Sequence, residues 1–176
     1  MIQLHDKKFK PFISAETLDQ AVEKMANEIA KDLGGEIPVF VAILNGSFMF
    51  AADFVKKYPT NCEITFLKLA SYEGTGSTGK VKQLVGLSTA LKGRSVVVLE
   101  DIVDTGNTIE ELQKLFENEG VKELKIATLF FKPEAYKKEI KIDYIGMEIP
   151  NKFIVGYGLD YDELGRNLPE VYQLHE

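Results

Sequence analysis

The chain has 176 residues, of which 45% are hydrophobic and 27% charged, with a formal net charge of −6. That length suits one domain with a core of its own, and the balance excludes a disordered chain or a coiled coil. A protein that grips nucleic acid through phosphates usually carries a basic excess, so no nucleic-acid partner is expected here.

Residues 1–10 alternate charge and lack the apolar stretch of a signal peptide. Ser14 reads as a helix N-cap. Leu18, Val22, Met25, Ile29 and Leu33 then recur at helical spacing up to Gly34-Gly35, which predicts a helix over 15–33. Residues 39–44 form an apolar run that fits a strand buried on both faces, as in parallel sheets. The run is far short of a membrane span, so no membrane partner is expected. Asn45-Gly46-Ser47 breaks it, and 48–57 can return as a helix. Cys62 is the single cysteine, so no internal disulfide forms. That suits a reducing compartment, and the cytoplasm is the expected location.

A strand with one exposed face is predicted at 64–70. A mobile loop should follow over 71–80, which is small, polar and glycine-bearing. Residues 82–90 should hold a strand and its return, with Lys92-Gly93 as a turn and 96–99 as another buried strand. A helix over 108–119 buries Ile109, Leu112 and Phe116 and stops at Gly120. A strand at 124–131 follows, and the pattern then becomes irregular, with short strands near 144–147 and 153–155. Strand–helix alternation predicts an α/β fold, a parallel sheet flanked by helices. The expected organisation is a single domain over 1–176, with its core at about 15–131 and a small irregular C-terminal hood over 132–176.

Ligands of such sheets bind beyond the carboxyl ends of the strands. Glu100-Asp101-Ile102-Val103-Asp104-Thr105-Gly106-Asn107-Thr108 is expected there, between a buried strand and a helix. Thr105 to Thr108 offers a flexible glycine, backbone N–H groups and two hydroxyls at a helix start, a pocket for one phosphate. The three carboxylates before it would repel a bare phosphate but suit a vicinal diol or a hard cation. A ribose 5-phosphate has that layout. The plainer alternative is an acidic turn in which Asp104 or Thr105 only caps the helix.

Residues 96–108 resemble the diphosphoribose-binding motif of the type I phosphoribosyltransferases, most closely the branch that uses 6-oxopurines. The usual form has lysine at the position of Asn107. Leu44-Asn45-Gly46-Ser47 is similar to that family's pyrophosphate loop, where a basic residue often replaces Asn45. Ser71-Tyr72 opens a loop placed like the family's closing lid. Phe130-Phe131-Lys132 is similar to the segment with a base-binding lysine, residues 151–161 resemble the purine hood, and Arg166 matches an arginine near pyrophosphate. Its neighbour Gly165 departs from the aromatic residue often found there. The likeness spans about residues 39–172.

The resemblance implies transfer of a phosphoribosyl group from 5-phosphoribosyl-1-diphosphate to a 6-oxopurine, with Mg²⁺ as cofactor and a homodimer or homotetramer as the working form. Such chemistry passes through a cation-like ribose, which nearby carboxylates stabilise. The resemblance gives Glu100 and Asp101 the ribose hydroxyls or the metal, and Asp160 a share in the base site and in a second metal. Asn45, Gly46 and Arg166 would hold the diphosphate, and Thr105, Gly106, Asn107 and Thr108 the phosphate. Asp104 would move a proton at the base. Lys132 offers only donors, which suit a carbonyl O6 and mismatch the amino group of adenine. Phe153 would stack on the base and the Ile154 backbone would read its edge. Without the likeness, Phe153 reads as core, Lys132 as a solvated charge and Asp160 as a turn cap.

Gly74-Thr75-Gly76-Ser77-Thr78-Gly79 spells a dinucleotide-binding pattern and, with Lys80, most of a phosphate-binding P-loop. Val81 lacks the hydroxyl that a P-loop needs, and Gly86 weakens the helix that either pattern requires. An NAD-dependent oxidoreductase would also leave residues 100–108 unexplained. A phosphoribosyl-diphosphate-sensing nucleic-acid regulator of the same fold conflicts with the acidic balance. His5 and His175 stand near the ends of the sequence and are given no chemistry.

Overall fold

The computed structural model describes residues 1–70 and 82–175. Its elements are β1 (Ile2–Leu4), β2 (Lys7–Ile13), α1 (Ala15–Leu33), β3 (Val39–Ile43), α2 (Phe48–Lys57), β4 (Glu63–Ala70), β5 (Lys82–Val85), β6 (Ser95–Val103), α3 (Asn107–Glu117), β7 (Glu123–Phe131), β8 (Tyr144–Glu148), β9 (Ile154–Val155) and β10 (Val171–Leu174). The main sheet runs β5-β4-β3-β6-β7-β8. Five of its strands are parallel, and β5 lies antiparallel at the edge. A second, antiparallel sheet runs β1-β2-β10-β9.

α1 forms where the spacing requires. The Ser14 hydroxyl accepts a hydrogen bond from Thr17 N–H, and Gly34 leaves in the left-handed region at φ 59°. Its buried stripe packs with α2 against Phe40 and Ala42 of β3 and Val97 and Leu99 of β6. The alternate residues Val39, Val41, Val96 and Val98 face the other way and pack against Ile109, Leu112 and Phe116 of α3. Period-two alternation between two apolar layers is what makes β3 read as an unbroken apolar run.

Several boundaries differ from the sequence reading. β6 does not end at Leu99 but continues to Val103, because β7 keeps pairing with it as far as Val103↔Phe131. Glu100 and Asp101 are therefore strand residues. α3 ends at Glu117, where the Asn118 side-chain amide donates to the Lys114 carbonyl, so Gly120 stands in the turn beyond instead of serving as the stop. β5 has no returning strand before Ala90. The small sheet draws β1 and β2 from the N-terminal segment, and β8 joins the main sheet. The strands thus cross the expected 15–131 and 132–176 ranges at both ends. The expected loop at 71–80, including Ser71 and Tyr72 and the glycines of 74–79, lies outside the described residues.

Candidate active site

From β3 the chain passes through α2 to β4 on one side, and it returns as β6 on the other. An open α/β sheet binds ligand at such a switch point. The register opens a space there. β6 pairs with β3 only as far as Ala42↔Leu99, so its last residues project past the end of β3. Glu100 and Asp101 stand on that projection. They line a cavity of about 410 Å³ with Asn45, Gly46, Thr108, Glu111, Asp160 and Arg166.

Glu100 is 4% exposed, and its Oε1 has no hydrogen-bond partner. Burial, then the charge of Asp101 and a hydrogen bond with it, hold the Glu100 carboxyl well above the usual carboxylate range. Burial also pushes Asp101 up to about 6, although the Ile102 N–H donates to its Oδ1 at 2.9 Å and the Arg166 charge opposes the rise. Neither carboxylate has a salt bridge among the described residues. Buried carboxylates this poorly matched are costly unless a cation or hydroxyl donors fill the cavity.

The loop after β3 turns back into α2 through the Ser47 hydroxyl, which donates to the Ile43 carbonyl at 2.6 Å. The Leu44–Asn45 peptide is cis. Gly46 has no room for a side chain, since a Cβ would stand 1.7 Å from Asp101 Oδ2. On its other side Gly158, at φ 98°, brings its Cα against the Gly46 carbonyl, where a Cβ would come within 2.1 Å of the oxygen.

A smaller cavity of about 100 Å³ is lined by residues 102–109 and Glu100. The cap of α3 is Gly106, at φ 88°, and no side chain bonds to the first turn. The plainer alternative, that Asp104 or Thr105 only caps the helix, therefore does not hold. The uncapped N–H groups of a helix start are suited to an anion. Asp104 is engaged elsewhere, accepting a hydrogen bond from Lys132 Nζ at 3.1 Å. Lys132 is buried, and its backbone N–H donates to the Val103 carbonyl, which seats it beside the end of β6.

Arg166 joins the site from the turn after β9. Its Nη2 meets Asp160 Oδ1 at 2.9 Å, its Nη1 donates to the Gly158 carbonyl, and its buried Nε has no partner. The second Asp160 oxygen accepts from Glu163 N–H, so Asp160 does cap a turn while it also faces the cavity. Ile154 stands on the small sheet with Phe153 just before it, and neither lines either cavity. Phe153 is 45% exposed with its ring near Phe9 and Tyr161, and Ile154 is buried beside Gln173. The sequence reading overlooked Glu111. It sits three residues after Thr108, on the same helical face, and that spacing was the available signal.

The phosphoribosyl transferase domain family matches residues 14–162. The chain is 41% identical over 168 residues to the hypoxanthine-guanine phosphoribosyltransferase of Streptococcus thermophilus, covering 95% of this chain and 93% of that one. It is 42% identical over 163 residues to the protein of the same name from Lactococcus lactis, covering 92% and 88%. A crystal structure of a hypoxanthine-guanine phosphoribosyltransferase from Bacillus anthracis, with a HEPES molecule in its active site, superposes with a TM-score of 0.89 at 40% identity. That match covers 97% of this chain and all of the other.

Proposed function

Because the chain belongs to the phosphoribosyltransferase family, we propose that it transfers the phosphoribosyl group of 5-phosphoribosyl-1-diphosphate to a ring nitrogen of hypoxanthine or guanine. Pyrophosphate and the nucleotide are the products, and the role is purine salvage. The observation that carries this reading is that the two cavities share Glu100, Ile102 and Thr108 in their walls. One continuous site thus has an uncapped helix start at one end and an arginine at the other, with buried carboxylates between. A 5-phosphate, a diphosphate and a ribose diol match those three parts in order.

Asp104 is the proton-transfer group at the base, and Lys132, its hydrogen-bond partner, presents donors to O6. Phe153 stacks on the base and the Ile154 backbone reads its edge, and Asp160, which stands beside Arg166 in the cavity wall, takes a share in base binding, all supported by likeness to the purine hood. Asn45, Gly46 and Arg166 hold the diphosphate, with Ser71 and Tyr72 opening the lid.

Mg²⁺ fits Glu100 and Asp101, since Glu100 Oε1 is buried without a partner and the adjoining Asp101 has no salt bridge among the described residues. No group of three metal-ligating side chains stands together among the described residues, and Asp160 is already held by Arg166. Two carboxylates with the donor's own oxygens would complete the coordination. When bound, the ion neutralises the leaving diphosphate.

The working form is a homodimer or homotetramer, a reading supported by the exposed apolar side chains Phe48, Ile64 and Phe66. No described helix is long and apolar enough to cross a membrane. The free thiol of Cys62 supports a cytoplasmic location.

The direct test supplies the sugar diphosphate, Mg²⁺ and each free purine, and separates products by chromatography. Nucleotide is expected with hypoxanthine and guanine and little with adenine. No nucleotide with any purine would overturn the reading.

A further inference from the structure

The larger cavity of the site is rich in carboxyl groups. Glu100, Asp101, Glu111 and Asp160 all line the cavity, against one guanidinium, Arg166. That guanidinium is already paired with Asp160 at 2.9 Å and lies 3.6 Å from Glu163. Asn45, also in the wall, adds no charge. Three of the carboxylates have other work. Glu100 and Asp101 face the sugar, and Asp160 is fixed between Arg166 and the Glu163 N–H. Glu111 has no salt bridge among the described residues and no place in any motif. Its neighbour Glu110 points to a different surface, where Lys138 holds it at 3.0 Å, and does not line this cavity.

We propose that Glu111 is a specificity-determining residue that makes the site take the sugar diphosphate only as its divalent-cation complex. The inference rests on the function proposed above. A carboxylate in the cavity wall repels a bare diphosphate, and beside protein walls that repulsion is less screened than in bulk water. A cation on the diphosphate cancels the repulsion, and its bound waters give the carboxylate donors to accept from. Glu111 therefore weakens the wrong charge state of the donor while tolerating the right one, which is discrimination by a repulsive element. It also keeps the ligand-free site receptive to cations, in a chain that has asparagine at both positions where the resembling motifs carry a basic residue.

The test is calorimetric binding of 5-phosphoribosyl-1-diphosphate, without purine, in excess Mg²⁺ and in chelator. Wild type should bind the donor in Mg²⁺ and bind it at least tens of times more weakly in chelator. Glu111→Gln should strengthen metal-free binding about 5–10-fold and change binding in Mg²⁺ less than about 2-fold, the scale expected for one screened charge. Glu111→Lys should shift the ratio further in the same direction. Glu110→Gln is the control for bulk charge and should leave the ratio unchanged. An unchanged ratio in Glu111→Gln and Glu111→Lys proteins that melt like wild type would overturn the proposal, as would an equal shift from Glu110→Gln. If wild type bound no donor even with Mg²⁺, the proposed function itself would fall, and this inference with it.

Discussion

At the scale of single residues, the buried acid pair sets opposing demands on stability and binding. Asp101 has its folded carboxyl pushed up to about 6 from an ordinary 3.8. A raised folded value means that the protonated form is favoured by folding. The contribution is fully present below about pH 4 and is lost as pH rises through about 6. At neutral pH the ligand-free protein carries that loss, on the order of 1–3 kcal/mol for a shift of this size on a partly buried group. Asp101→Asn keeps an acceptor for the Ile102 N–H and removes the charge. It should raise the ligand-free melting temperature by several degrees at pH 7.5, with the gain fading towards pH 4, while donor binding weakens. A melting curve that is the same at both pH values would show that the carboxylate is not strained. Asp104 makes a different prediction. It is tied to the buried Lys132 and is itself partly exposed, so Asp104→Ala should cost about 1–3 kcal/mol by leaving the ammonium without its partner, and in the folded protein lower turnover by roughly 10²–10⁴-fold, the usual scale for an acid–base group. Normal turnover in that variant would remove it from proton transfer.

At the scale of elements, the loop from β6 into α3 depends on one glycine for two reasons. Gly106 sits at φ 88°, and a Cβ there would come within 2.5 Å of Tyr136 Cε2 and 2.7 Å of Lys138 Cγ. Gly106→Ala should therefore cost about 1–3 kcal/mol and disturb the proposed phosphate pocket. It should lower the melting temperature and raise the KM for the donor together; an unchanged KM in a destabilised variant would separate the glycine from the pocket. Whether an element was legible in the sequence depended on whether its signal was local. α1 declares itself through a cap, a stripe and a stop within twenty or so residues, and β3 through its apolar run. The small cavity at the start of α3 was legible because glycine, hydroxyls and helix start are contiguous. The end of β6 was not, because only its pairing with β7, a partner across the intervening helix, extends the strand through charged residues. β1, β2 and β10 were missed for the same reason. Their short stretches are half exposed; β2 and β10 exist as strands because residues near the two ends of the chain pair with each other, and β1 is held only as a short hairpin on β2. Gly46 reads as a simple breaker in the sequence, and nothing local shows that Asp101 lies against its Cα.

At the scale of the whole molecule, the site forms where the main sheet and the small sheet meet, so the seam between them controls the geometry of the site. The segment after β9 crosses that seam. Gly158 lies against the Gly46 carbonyl, and its own carbonyl accepts from Arg166. One residue earlier, Tyr157 is held in the left-handed region at φ 50°, and its hydroxyl donates to Asp53 Oδ2 of α2 at 2.7 Å. Burial, then the Asp53 charge, push the Tyr157 phenol far above its ordinary value, so it remains a donor at any working pH. This bond connects the small sheet to the helix that begins at the proposed diphosphate loop. Tyr157→Phe removes it without leaving Asp53 unpaired, since Lys56 Nζ remains 2.7 Å away. The stability cost should then be about 1–2 kcal/mol, that of one hydrogen bond to a charged acceptor. A structural role alone predicts only a lower melting temperature. A seam that aligns two halves of one site predicts more: higher KM values for both donor and purine, with turnover at saturation changed much less, because substrate binding must then restore an alignment that the free protein no longer holds. Steady-state kinetics on the folded variant decide between these. A lowered melting temperature with unchanged KM values would reduce Tyr157 to a stabilising contact.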